Sequence, residues 1–135
     1  MIAYGKQLVG HCDQSVLHVE EAERISPRDI FAFRWRNTAG VSKVLLGNDA
    51  AAVSWFRRSI DANRNYPIGH FHLAAALGLF GEVDEARAVA RTGLALDPKF
   101  TIRSYRLGAA SDNPTYLAGR ERIYQGMRIA GLPEG

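Results

Sequence analysis

A chain of 135 residues carrying a net charge of +3, with 47% hydrophobic and 23% charged residues, has the size and balance of one folded domain, which excludes a disordered chain. Its basic excess is dispersed: seven basic residues stand against three acidic ones between positions 28 and 72, and the first 27 residues lean acidic through Asp13, Glu20, Glu21 and Glu23, so no concentrated nucleic-acid footprint appears. A single cysteine, Cys12, excludes an internal disulfide framework, and the longest apolar run, Leu73–Phe80, falls far short of the ~20 residues that span a bilayer.

The N-terminus, Met1 to Lys6, lacks the basic-then-apolar pattern of a secretion signal, which predicts a soluble, cytoplasmic chain. A partial repeat over residues 1–29 comes first. In it Gly10, Ser15, Val19, Ala22 and Pro27 keep the spacing later held by Gly81, Ala86, Ala90, Gly93 and Pro98. It lacks the start of its first helix, so the sequence is expected to begin partway into an array. Ile30-Phe31-Ala32 then lengthen the start of the next helix. Two full copies follow, 33–66 and 67–100, offset by 34: Gly47 falls on Gly81, Ala52 on Ala86, Ile60 on Leu94 and Tyr66 on Phe100.

Each copy predicts two helices. Pro67 suits a first helical position, and Phe71, Leu73, Leu77 and Phe80 recur at helical spacing. Gly81 suits the left-handed stop, and Asp84 and Glu85 suit the positive end of the second helix. Asp97-Pro98 closes it. Ala74, Ala86 and Gly93 in one copy, and Ala39, Gly40, Ala52 and Ser59 in the other, are the small groups that let paired helices approach. Residues 101–135 read as a C-terminal helical cap: Thr101–Leu107 starts one more helix, and Asp112 or Asn113 caps another that opens at Pro114. Tyr116, Leu117, Ile123, Tyr124 and Met127 are expected inside, with Arg120, Arg122 and Arg128 outside, and Gly131 and Pro133 as the stop.

The run from Gly81 to Pro98, with its period, turn glycine, small residue five positions on and closing Asp-Pro, resembles the second half of a tetratricopeptide (TPR) repeat, and the resemblance covers roughly residues 1–100. Arg64 departs from it where proline is usual, and His70 and Arg36 where a large aromatic is common. The stretches Trp55–Pro67 and Ser111–Leu117, with the ending Ala130–Glu134, resemble the C-terminal repeat region of bacterial multidomain regulators that carry a class III adenylate or guanylate cyclase domain or a winged-helix domain. Some of those proteins are membrane-anchored, which makes a periplasmic location the alternative. The fold implied is an all-α, α-α superhelix: a TPR-like solenoid of helical hairpins, about three repeats with a C-terminal capping helix.

Little in the sequence suggests chemistry. His11 and His18 lie two helical turns apart, roughly 10 Å, and His70 and His72 point to different sides of one helix, so no metal site is expected. Ser15, Ser42, Ser54 and Ser104 sit in no nucleophile motif, and there is no phosphate loop. No enzymatic activity and no cofactor are therefore expected.

Family positions mapped onto this chain place Tyr4, Arg34, Asn37, Val41, Phe71, His72, Ala75, Leu79 and Tyr105 in a partner-binding groove along the first helices. That mixed surface suits a protein or peptide segment. It lacks the Lys and Asn array that clamps a C-terminal carboxylate. The expected function is a non-catalytic protein–protein interaction scaffold, the terminal module of a bacterial signalling or regulatory protein. The alternative is a homodimerisation module joined through an N-terminal face exposing Tyr4, Leu8 and Val16. Arginine-mediated nucleic-acid binding is the weaker third reading.

Overall fold

Gly47 and Gly81 both hold left-handed backbone, at φ 82° and 95°, and each separates one helix from the next. The computed structural model describes residues 12–25, 30–109 and 112–135, with side chains from residue 16 onward. Among these residues the chain is all helical, with no strand: α1 (Cys12–Ile25), α2 (Ala32–Leu45), α3 (Asp49–Ala62), α4 (Pro67–Phe80), α5 (Val83–Leu96), α6 (Ile102–Leu107) and α7 (Pro114–Ile129). Tyr4, Leu8, Gly10 and Pro27 lie outside the described residues.

The two glycine turns close alike. The N–H after each glycine reaches back five residues, Asn48 to the Lys43 carbonyl at 2.8 Å and Glu82 to that of Leu77 at 2.9 Å. This is a helix stop that needs a left-handed residue. A Cβ at Gly81 would meet nothing within 4 Å, so only backbone strain opposes a side chain there. Gly81→Ala is expected to cost about 1 kcal/mol, measured by urea unfolding. No loss of stability would remove the turn's role in setting the hairpin. After the turns, α3 and α5 begin and end 34 residues apart, and the Asn48 side chain caps α3 by accepting from the Ala51 N–H at 3.2 Å.

Helices pair ring against glycine. Phe56 of α3 lies over Gly40 of α2, where an added Cβ would meet the ring at 2.4 Å. Phe71 of α4 lies over Gly93 of α5, at 2.6 Å from such a Cβ. Ala52, Ala74 and Ala86 are wholly buried beside them. Phe71 also stacks on Phe100, with ring centres 3.8 Å apart. The α2–α3 and α4–α5 pairs join through α3 and α4 into one core.

α1 packs on α2, burying Val16 and Val19 against Ala39 and Trp55. Val16, expected on an open face, is thus covered, while Leu17 and Ile25 of the same helix stay exposed. Glu23 of α1 receives Arg36 at 2.7 Å and also Arg58, which ties α1 to both following helices.

The tail departs from the expected cap. α7 packs chiefly on α4, and next on α2, with only a slight contact to α5. It therefore lies along the first helices of the two pairs rather than over the end of the last one. Gly126 permits this: a Cβ there would come within 2.3 Å of the Ala75 carbonyl oxygen. After α7 the chain turns back, and the Pro133 and Glu134 carbonyls accept the Ile102 and Arg103 N–H groups, both at 2.8 Å. These are first-turn donors of α6 that its own helix leaves unpaired. Two arginines expected outside are turned inward by this docking. Arg120 is buried, and Arg122 holds both Asp49 oxygens, at 3.0 and 2.9 Å, and the Val44 carbonyl at 2.6 Å. Arg128 does face water, paired with Glu134 at 2.8 Å.

Candidate binding site

Between α2, α4, α6 and α7 a cavity of about 780 Å³ remains. Phe31, Arg34, Trp35, Asn37, Thr38, Val41 and Leu45 line it from α2 and its approach, and Tyr66, Ile68 and His72 from α4 and its approach. Ser104, Tyr105 and Gly108 close it at α6, and Tyr116, Arg120 and Ile123 at α7.

Five of the nine residues expected in a groove meet here: Arg34, Asn37, Val41, His72 and Tyr105. Phe71 and Ala75 do not; both are buried in the core, Phe71 against Gly93 and Phe100, and Ala75 under α7. Leu79 is partly buried against the same core. Tyr4 lies outside the described residues. The physical reasons differ: α7 covers the surface that Ala75 would otherwise expose, whereas Phe71 is turned between its own helix pair onto Gly93 and Phe100.

A polar chain runs through the floor. The Nδ1–H of His72 donates to Asn37 Oδ1 at 2.9 Å, because an amide oxygen can only accept. Its Nε2 then accepts from the Tyr105 hydroxyl at 2.8 Å. Both ring nitrogens are thereby satisfied in the neutral imidazole. Burial, helped by the nearby Arg120 charge, pushes the His72 pKa down to about 3. Burial also pushes the Tyr105 phenol up. The imidazole lies beside the Phe56 ring at 5.4 Å.

Arg120 is held by tyrosines. Its Nε donates to the Tyr124 hydroxyl at 2.7 Å, one terminal nitrogen to the Tyr116 hydroxyl at 2.7 Å, and the other to the Tyr105 carbonyl at 2.6 Å. Its guanidinium also lies 4.0 Å from the Tyr105 ring centre, a cation–π distance. Burial works against the charge, but the oxygens of Tyr105, Tyr116 and Tyr124 outweigh it and raise the pKa of Arg120. Sequence reasoning placed this residue outside. Its signal was present all the same: Tyr116 and Tyr124 stand four residues before and after it, on one helix face.

No Asp or Glu among the described residues lines the cavity. Among the described residues, no three of His, Cys, Asp and Glu gather as a metal site requires, and no helix is long and apolar enough to cross a membrane. No protein-family model matches the chain, and no curated protein matches it.

Proposed function

We propose that this chain is a non-catalytic interaction module of TPR type, whose cavity between α2, α4, α6 and α7 receives a short segment of a partner protein. The observation that carries the reading is the repeated hairpin. The second helices of the two pairs and their left-handed glycine stops are offset by 34 residues, and each pair sets an aromatic ring on a glycine, from opposite helices in the two pairs. Such units stack their first helices side by side, and the space along those helices is where a ligand fits. Here α2 and α4 supply most of the cavity wall. The lining joins aromatic faces with a few fixed polar groups, the usual make-up of a specific pocket.

A protein partner is favoured over nucleic acid because seven of the fourteen arginines are already engaged. Arg24, Arg36, Arg57, Arg58, Arg106, Arg122 and Arg128 each pair with a carboxylate. A phosphate backbone needs open cations along one face. In keeping with the resemblance of its sequence, the module belongs at the end of a larger bacterial regulatory protein. Since α7 fills the rest of the α2–α4 surface, the segment is short, a few side chains rather than a long strand.

A displayed peptide library panned against the full chain tests this. Selected peptides are expected to lose at least tenfold in affinity when Thr38→Trp fills the cavity, and to keep it in Arg91→Ala on α5. Peptides that bind both variants equally, or a library that yields none, would remove the cavity as the seat.

A further inference from the structure

We infer that this cavity selects an anion: an acidic group carried on an aromatic or other apolar body. The inference rests on the cavity being a binding seat. It begins with a contrast between two arginines on one helix. Arg122 meets Asp49 with both terminal nitrogens. Arg120, only 8% exposed, has no carboxylate partner among the described residues. Its three acceptors are neutral oxygens. A guanidinium has five N–H donors, so two remain after those bonds. Hydrogen bonds to neutral groups hold the charge in place without cancelling it. In a partly desolvated cavity an uncancelled charge acts more strongly than in water.

Arg34 adds a second cation at the wall. It lies 5.5 Å from the Phe31 ring and 5.7 Å from the Phe33 ring, and it too has no carboxylate partner among the described residues. With no acidic residue in the lining among the described residues and His72 neutral, these two arginines are the charged groups that face the cavity there. Arginine also presents two parallel donors to a carboxylate, which a lone point charge cannot do. Trp35, Tyr66, Ile68 and Ile123 supply flat apolar surface for the body of the ligand. The volume, about 780 Å³, is within the range of pockets that enclose a small organic group.

Two dyes that differ only in charge test the inference. 1-Anilinonaphthalene-8-sulfonate is an anion, and N-phenyl-1-naphthylamine is the same ring system without the sulfonate. Titrated into the full chain, the anion is expected to bind at least tenfold tighter. That preference is expected to shrink to under threefold in Arg34→Met, whose exposed position leaves the fold intact, and to persist in Arg91→Ala. Equal affinity for the two dyes overturns the anion selection and leaves the cavity standing as a seat. A preference unchanged in Arg34→Met also overturns the selection, and binding of neither dye overturns the selection together with the seat. A second arm separates the source of the anion. Displacement of the dye by N-acetyl-Phe-Glu-amide, but not by its glutamine twin, supports an acidic side chain of a partner protein. Displacement by neither, with the dye preference intact, supports the anion site and overturns only the partner-protein reading.

Discussion

Gly126→Ala is expected to be the most damaging single-methyl change in the C-terminal helix, costing about 3 kcal/mol of stability, the upper end for over-packing. The reason is what the new methyl would meet. At 2.3 Å from the Ala75 carbonyl oxygen, and 2.8 and 2.9 Å from its carbonyl carbon and Cα, it strikes the backbone of α4. A helix backbone cannot rotate out of the way as a side chain can. The neighbouring contact is also tight from the other side, since a Cβ at Gly78 would lie 2.8 Å from the Gly126 carbonyl oxygen. α7 must therefore lift from α4 and give up part of the burial of Ile123, Tyr124 and Met127. Gly119→Ala is the matched control. Its methyl would meet Leu45 at 2.6 Å, but the nearest atom is the far end of a flexible side chain, so the cost should stay under about 1 kcal/mol. Urea unfolding of both variants decides the matter, and equal losses would discard the close α4–α7 docking. Because α7 carries Tyr116, Arg120 and Ile123 into the cavity, Gly126→Ala should also weaken dye binding.

The second large effect is a loss of stability in mild acid that traces to His72. Its folded pKa of about 3 lies below the ordinary value of 6.5, which the unfolded chain keeps. Between those values the unfolded state binds a proton that the folded state refuses, so stability rises with pH across that window. It is fully present above pH 6.5 and is lost as pH falls towards 3. At pH 5 the expected loss relative to pH 7.5 is about 2 kcal/mol. The folded imidazole cannot accept a proton without breaking an arrangement in which Asn37 accepts at Nδ1 and Tyr105 donates at Nε2, and the charge would stand near Arg120. Denaturant midpoints at the two pH values measure the effect. His72→Gln should be less stable at pH 7.5 and lose distinctly less on acidification. An acid loss of the same size in that variant would assign the effect to other groups.

These two expectations depend on different levels of the chain. Helix pairing was legible in the residues. The offset of 34, the glycines at 47 and 81, and the alternation of small and aromatic groups follow from rules that act within a few turns of helix, and α3 and α5 reproduce the offset to the residue. The start of α7 was equally readable, with Asn113 capping the Tyr116 N–H at 3.1 Å ahead of Pro114. Of the residues that the TPR resemblance places in a groove, Arg34, Asn37, Val41, His72 and Tyr105 line the cavity.

The amino-acid sequence by itself determined the all-helical character, the hairpins and their turns, because those rest on local spacing, capping and backbone conformation. The tertiary structure alone decided where α7 lies. Its apolar side could have covered the end of α5 or the surface of α2 and α4, and local propensity is the same in either place. The absence of a side chain at Gly126 and the carboxylate of Asp49 draw it to the second. That docking removes Ala75 from the groove, turns Arg120 away from water into a ring of tyrosine oxygens, and supplies the fourth wall of the cavity. The long-range meeting of Arg122 with Asp49, and of Tyr105 with His72, depends on the path of the whole chain, which no window of neighbouring residues contains.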